Sequence, residues 1–367
     1  MNNFSFKHYI VLTLVSIWIF IPTLKAQDTL KILAIGNSFS EDAAETYLDD
    51  LAKADGVNLI VGNMYIGGCT LETHWVNANG NLPAYSYRKI TNGNKLTLEN
   101  QTLLSAIKDV DWDIITYQQA SPYSGMYATF FPYLTDLLTY VKANTINKNI
   151  KFAFHQTWAY AANSTHTGFL NYDNNQEKMY NAIVNAVNSA ATHAGIDIII
   201  PSGTAIQNGR NTSIGDNFNR DGYHLSYGLG RYTAACAWYE KLLNRPIIGN
   251  SFIPNGVTKQ EANIAQHAAH WAVLNPNNVT QNLYASTNQL YKRVLKFYPN
   301  PVKNTAIIES EEILKYIEIS DISGRNVYAL SNISTQSTDI NLNHLNAGYY
   351  LLKSGYGTFP FLKINEL

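Results

Sequence analysis

With only two cysteines, Cys69 and Cys236, the 367-residue chain is not a disulfide-stapled scaffold. One bridge is permitted in an oxidising compartment, but a chain long enough to bury a large core does not need it. The Ala-rich helical setting of Cys236 favours two buried thiols. No His/Cys cluster has ligand spacing, so neither a metal nor another cofactor is expected. Charge is scarce as well: 14% of residues are Asp, Glu, Lys or Arg, and the formal net charge is −1. That near-balance removes the electrostatic footprint of a nucleic-acid partner or of an anionic membrane surface. The apolar run over residues 9–21 is shorter than the about 20 residues of a comfortable membrane span, so no stable span is expected.

What the first residues do have is the pattern of an export signal. Lys7 and His8 supply a short positive segment, the apolar run follows, and Ala26 offers a small residue for cleavage before Gln27. Residues 1–26 are therefore set aside as a signal peptide, with an uncleaved anchor as the alternative. No cysteine lies near the cleavage point, which argues against a lipoprotein. Tyrosine is frequent, at 25 residues, and Asn is abundant. Both suit contact with polyhydroxylated ligands, although a polar extracellular surface explains most of them.

Apolar strand-like runs alternate with helical patterns along the mature chain. Strands are expected at 30–35, 58–66, 112–117, 151–155 and 196–200, the last stopped by Pro201. Helices are expected at 42–54, 96–110, 130–143 and 177–194. Continuous apolar strands between helices imply an α/β fold with a parallel sheet covered on both faces. Sites in such sheets form at the carboxyl ends of strands, and Ser38, Gly68 and Gln118 all fall at such ends.

Ser38 stands in Ile35-Gly36-Asn37-Ser38-Phe39-Ser40, directly after the first strand. Asp221 and His224 stand in Asp221-Gly222-Tyr223-His224-Leu225-Ser226, near the end of the α/β region. A serine hydroxyl becomes a useful nucleophile when a base takes its proton and a carboxylate orients that base. Asp and His three apart on one loop can place the carboxylate on one ring nitrogen and leave the other for the serine. Gly67-Gly68 and Gln118-Gln119 follow the second and third strands, where N–H donors for an oxyanion would sit. The plainer reading is a glycine turn and solvated glutamines. Gln119, His74, Trp75 and Trp158 are candidate substrate contacts, aromatic faces there being suited to sugar rings. His155, His166, His193, His267 and His270 read as structural or exposed.

These blocks resemble the SGNH (GDSL-type) hydrolase superfamily, whose blocks supply Ser, Gly, Asn and His in order. The resemblance spans residues 30–274. It implies a three-layer α/β/α, flavodoxin-like sheet, with Ser38 as nucleophile, His224 as base and Asp221 as orienter. Ser38, Gly68 and Gln118 would then form the oxyanion hole. The third block departs from the family's Gly-x-Asn-Asp and reads Tyr117-Gln118-Gln119-Ala120-Ser121, so Gln118 takes the donor role with Gln119 behind it. Gly-Gly-Cys-Thr-Leu-Glu-x-His-Trp with Gln-Gln-x-Ser resembles a branch found in Bacteroidetes polysaccharide-utilisation systems. That points to an esterified carbohydrate as substrate and to deacetylation as the reaction. A glycan-binding protein on the same scaffold is the competing reading.

The composition shifts after Trp271. Residues 275–296 read as an Asn/Gln/Ser/Thr-rich linker, which makes 27–274 the hydrolase-like domain. Residues 297–367 show short alternating strands that suit a small all-β sandwich. Phe297-Tyr298-Pro299-Asn300-Pro301-Val302, the turn at Asp321 to Arg325, and Ala347-Gly348-Tyr349-Tyr350-Leu351-Leu352-Lys353 resemble the C-terminal sorting domain of type IX secretion. The resemblance implies that secretion machinery as a partner and a secreted or cell-surface location.

Overall fold

The computed structural model describes residues 29–281, 295–310, 313–321, 324–354 and 357–365. The expected signal peptide and most of the expected linker lie outside those residues.

The first unit runs β1 (Leu30–Gly36), α1 (Ser38–Ser40), α2 (Leu48–Ala54), β2 (Leu59–Tyr65), α3 (Leu71–Asn79), β3 (Tyr85–Thr91), β4 (Asn94–Gln101) and α4 (Leu103–Asp109). It continues through β5 (Ile114–Tyr117), α5 (Tyr133–Asn144), β6 (Lys151–His155), α6 (Gln176–Ala194), β7 (Ile198–Ile200), α7 (Ser202–Arg210), α8 (Leu229–Leu243) and α9 (Lys259–Leu274). Seven strands form one sheet in the order β4-β3-β2-β1-β5-β6-β7. From β2 to β7 every pairing is parallel, the flavodoxin-like order 2-1-3-4-5. On the other edge, β2–β3 and β3–β4 are antiparallel.

That antiparallel edge corrects the sequence reading, which expects a helix over 96–110. The first part of that stretch is β4, and only Leu103–Asp109 is helical, capped by Thr102 accepting from the Ser105 N–H. The overriding signal is Asn92-Gly93, both at positive φ, the two-residue turn that matches the twist of a hairpin. Strand β4 is exposed nearly throughout, and charged residues such as Lys95 and Glu99 blunt it as a free edge. The helix expected over 42–54 is also interrupted. One turn of π-helix covers Glu41–Glu45 before α2 begins at Leu48.

Strand β1 is buried from Ile32 through Gly36, as a central strand covered on both faces must be. Helices α2, α7, α8 and α9 pack among themselves, and α3, α4 and α5 form a second group. Helix α6 starts at the Asn175 cap, which accepts from the Lys178 N–H, and stops at Gly195 in the left-handed region. The chain leaves β1 towards β2 and later returns to β5 on its other side, so a crevice opens between the carboxyl ends of β1 and β5. Ser38 and Gln118 lie at that switch point.

The C-terminal unit consists of β8 (Leu295–Tyr298), β9 (Thr305–Ser310), β10 (Tyr316–Asp321), β11 (Asn326–Ser331), β12 (Ser337–Asn341), β13 (Gly348–Ser354) and β14 (Gly357–Lys363). They form antiparallel sheets β11-β10-β13-β14 and β12-β9-β8. Ile308, Ile317, Ile319, Ile340, Leu352 and Phe361 share one core between them. Burial alternates along β9 and β13, as expected of strands with one wet face.

Residues 276–281, expected as linker, are tied to the first unit. The Pro276 carbonyl accepts from Thr204 Oγ1 at 2.6 Å and Gln156 Nε2 at 3.4 Å, and the Thr280 N–H donates to Asn208 Oδ1 at 2.8 Å. Thr204, Gln156 and Asn208 are buried, so each lost partner costs about 1–3 kcal/mol. A chain ended after Gln281 is expected to melt as one cooperative unit at the temperature of the same unit in the full protein. A chain ended after Leu274 should melt several degrees lower in differential scanning calorimetry. Equal melting of the two truncations would show that this strap contributes nothing.

Candidate active site

Ser38 is set by the turn that follows β1. Asn37 caps that turn, its Oδ1 accepting from the Phe39 N–H at 2.9 Å. Gly36 permits the tight packing: a Cβ there would sit 2.3 Å from Ser40 Oγ and 3.1 Å from Gln118 Cδ. Ser40 Oγ in turn bonds the Asn37 carbonyl at 2.8 Å.

The histidine loop reaches this turn from 186 residues away. His224 Nε2 lies 2.8 Å from Ser38 Oγ. His224 Nδ1 lies 2.7 Å from Asp221 Oδ2, while Asp221 Oδ1 accepts from the N–H groups of Tyr223 and His224 at 3.1 and 2.7 Å. With a carboxylate on Nδ1, the neutral ring carries its proton there and leaves Nε2 as the acceptor facing the hydroxyl. Partial burial opposes the Asp221 charge, but the His224 ring and the two backbone N–H groups outweigh it and hold its carboxyl below the usual range. Asp221 thus stays ionised where the loop needs it.

Asp42 fixes the distance between the two segments. Its carboxylate, fully buried in the π-turn after Ser38, accepts from the Leu225 N–H at 2.8 Å, Arg231 Nε at 2.7 Å and Arg220 Nη1 at 3.1 Å. Arg220 and Leu225 flank the Asp221–His224 pair, and the Arg220 N–H closes the loop on the His224 carbonyl at 3.0 Å. Phe39 adds an apolar support, stacked on Trp158 at 4.3 Å, and Trp158 Nε1 donates to the Tyr223 carbonyl at 2.8 Å.

Gly68 lies at φ +64 in the turn after β2, with no heavy atom within 4 Å of where a Cβ would be. Asn37 Nδ2 ties this turn to the serine turn through the Cys69 carbonyl at 3.1 Å. Among the described residues, the backbone N–H groups of Ser38 and Gly68 donate to no protein acceptor. Gln118 is placed differently from the expectation. It is 2% exposed, its Nε2 donates to Asn37 Oδ1 at 2.6 Å, and its Oε1 faces His155 Nδ1 at 2.9 Å. Its amide braces the serine turn from beneath instead of facing the opening.

Other expected substrate contacts are corrected by burial. Gln119 Oε1 accepts from the Leu71 N–H at 3.1 Å and its Nε2 donates to the Thr129 carbonyl at 2.9 Å, which staples two loops together. His74 is enclosed on α3 beside Tyr85, and burial pushes its ring down to about 3, so it is neutral. Trp158 is fully buried under the histidine loop and offers no face to a sugar. Trp75 is half-buried with its ring edge against Tyr140 at 6.5 Å. The aromatic that is exposed near the site is Tyr227, 65% accessible, three residues past His224 and backed by the guanidinium groups of Arg220 and Arg231 at 4.7 and 4.9 Å. His166, read as structural or exposed, stands half-buried against Tyr223 at 4.7 Å. Both cysteines are free and buried, and burial pushes the Cys69 thiol up to about 12.

Comparison with known proteins places this chain in a family. Residues 31–272 match the model described as domain of unknown function DUF4886. The chain belongs to the DUF4886 family. A crystal structure of a DUF4886 family protein from Bacteroides uniformis is 51% identical, with a TM-score of 0.68, covering 70% of this chain and 98% of that one. Two further solved structures show a weaker likeness. A GDSL-like lipase from Bacteroides thetaiotaomicron is 12% identical at a TM-score of 0.35, covering 58% of this chain and 86% of its own. An acetylxylan esterase from Geobacillus stearothermophilus is 12% identical at a TM-score of 0.38, covering 62% and 97%. No curated protein matches. Residues 296–358 match a secretion system C-terminal sorting domain, so the DUF4886 domain is joined to an export signal. No helix among the described residues is long and apolar enough to cross a membrane.

The Asp42 clamp yields a stability test. Asp42→Ala takes the buried carboxylate from Arg220 and leaves Arg231 only Glu41 at 3.7 Å, and breaking a buried pair costs up to about 3–5 kcal/mol. The variant should melt lower, and amides 220–226 should exchange faster in hydrogen–deuterium exchange. Unchanged protection of that loop would mean that the clamp does not hold it.

Proposed function

We propose that this protein is an exported serine esterase that removes acyl groups, acetyl foremost, from polysaccharides or oligosaccharides. The observation that carries the reading is the continuous line from Asp221 Oδ2 through the His224 ring to Ser38 Oγ, with separations of 2.7 and 2.8 Å. Ser38 Oγ attacks the ester carbonyl while His224 Nε2 takes its proton. Asp221 remains charged and steadies the imidazolium. The developing oxyanion receives the free N–H groups of Ser38 and Gly68, held in register by Asn37. His224 then protonates the departing alcohol oxygen. In the second half His224 takes a proton from water, which attacks the acyl-enzyme and releases the carboxylic acid and Ser38.

Tyr227 supports a sugar in the alcohol portion. Its ring is contacted by the Arg220 and Arg231 guanidinium groups, is largely open to solvent and stands three residues past His224, and an exposed aromatic ring suits a pyranose. The C-terminal sorting domain adds a place of action outside the cell. The competing reading, a glycan-binding protein without turnover, is weakened by the same hydrogen-bonded line, because a binder has no use for a base aligned on a serine.

Acetate release from acetylated xylooligosaccharides and hydrolysis of p-nitrophenyl acetate test the reading together. Ser38→Ala and His224→Ala should each lower kcat by about 10⁴-fold or more, and Asp221→Asn by about 10⁴-fold. Tyr227→Ala should raise KM about tenfold on the oligosaccharide, the equivalent of about 1.4 kcal/mol, and leave the small ester unaffected. Full activity of Ser38→Ala would end the esterase reading. Equal effects of Tyr227→Ala on both substrates would end the sugar-platform part alone.

A further inference from the structure

A second concavity lies at the start of α6, away from Ser38. Its volume is about 590 Å³, and its walls carry Asn174, Glu177, Asn181, Gln207, Asn211 and Gln281. That volume is in the range of small-ligand sites, about 300–1,000 Å³, but the lining is unusual for one. Amides dominate it, while Tyr180, Val279 and Ala162 supply a small apolar share.

We propose that this cleft binds a neutral oligosaccharide, as a second glycan site separate from the hydrolytic centre. Each amide side chain offers donors and an acceptor together, the combination that matches a hydroxyl, which is also both. Asn174, Glu177, Asn181, Asn211 and Gln281 are exposed, so a ligand's hydroxyls can replace water on their side chains. Glu177 adds a carboxylate that accepts from neighbouring hydroxyls. No basic side chain lines the cleft. Nearby Arg210 is paired to Asp216 at 2.7 Å, and Lys178 to Asp173 at 2.7 Å. A phosphate or a uronate therefore finds a lone negative charge there, and an apolar ligand finds too little apolar wall.

The cleft is also preformed. Gln176 Nε2 bonds the Tyr160 carbonyl and Asp216 Oδ2, both at 3.0 Å, and the Ala162 N–H bonds the same Asp216 oxygen at 2.7 Å. Asp173 and Asn174 stand in succession at φ 55 and 51, a left-handed pair without glycine on the rim. The N–H groups of Asp173 and Asn174 are anchored on the Leu170 and Phe169 carbonyls, each at 3.1 Å. The opposite side of the same loop meets the catalytic loop, where the Ala161 N–H donates to the Gly222 carbonyl at 2.8 Å. A glycan held in the cleft is therefore held by the segment that also supports the histidine loop.

Binding is independent of turnover, so the test uses the full chain carrying Ser38→Ala and de-esterified polysaccharides. Affinity electrophoresis is run in gels containing xylan, glucomannan or mixed-linkage β-glucan, with polygalacturonate as the charged control. Retardation is expected in at least one neutral gel and not in polygalacturonate. Asn181→Trp, which fills the cleft, and the double variant Asn181→Ala/Asn211→Ala should each weaken that binding at least tenfold. In the chain with Ser38 intact, the same cleft variants should hydrolyse p-nitrophenyl acetate within about twofold of wild type. The proposal is overturned by absence of retardation in all neutral gels, by retardation that persists in both variants, or by equal retardation in polygalacturonate. Because no step consumes an ester, those outcomes are separate from the fate of the esterase reading.

Discussion

Everything at the candidate active site depends on one buried carboxylate. Asp42 lies in the π-turn directly after Ser38 and accepts from the Leu225 N–H and from Arg220 and Arg231. A helix running straight on from Ser38 would present a different face at this position; the π-turn is a local distortion that recurs at functional sites. The charge is buried, so losing any of its partners is costly, and that cost holds two segments 186 residues apart within hydrogen-bond distance. The arginines serve twice, since their outer faces also carry the Tyr227 ring.

A second layer of restraint comes from amides. Asn37 links the serine turn to the glycine turn through Cys69, and Gln118 braces Asn37 from below while His155 holds Gln118. Burial keeps His155 neutral, pushed down to about 3, so this brace is a chain of neutral hydrogen bonds. Neutral groups suit the position, because a second charge beneath Ser38 would compete with Asp221 for the orientation of His224. Among the described residues, the backbone N–H groups of Ser38 and Gly68 remain without a protein acceptor beside this brace.

The short-range features were legible in the sequence. Gly36 to Ser40 and Asp221 to His224 are compact blocks whose residue types follow from the chemistry, and the apolar strands fixed the parallel part of the sheet. Features that depend on distant partners were not. Asp42 reads as an ordinary helical acid until Arg220, Arg231 and Leu225 are seen around it. Gln118 reads as a free donor, since nothing local reveals that Asn37 and His155 occupy its amide. Trp158, His74 and Gln119 follow strand ends and so resemble site residues, but loop position does not report burial. The hairpin is hidden for another reason: the helical pattern over 96–110 takes no account of the Asn92-Gly93 turn that precedes it.

The central claim is that Ser38 is an activated nucleophile because His224 is aligned on it. Labelling by a fluorophosphonate, which reacts with serines whose hydroxyl has such a base, reads this without any assumption about substrate. Intact-mass and peptide mass spectrometry should find one adduct, on the peptide containing Ser38, and the labelling rate should fall at least about 100-fold in His224→Ala. Labelling at a different serine, no labelling of the wild-type chain, or a rate unaffected by His224→Ala would contradict the account.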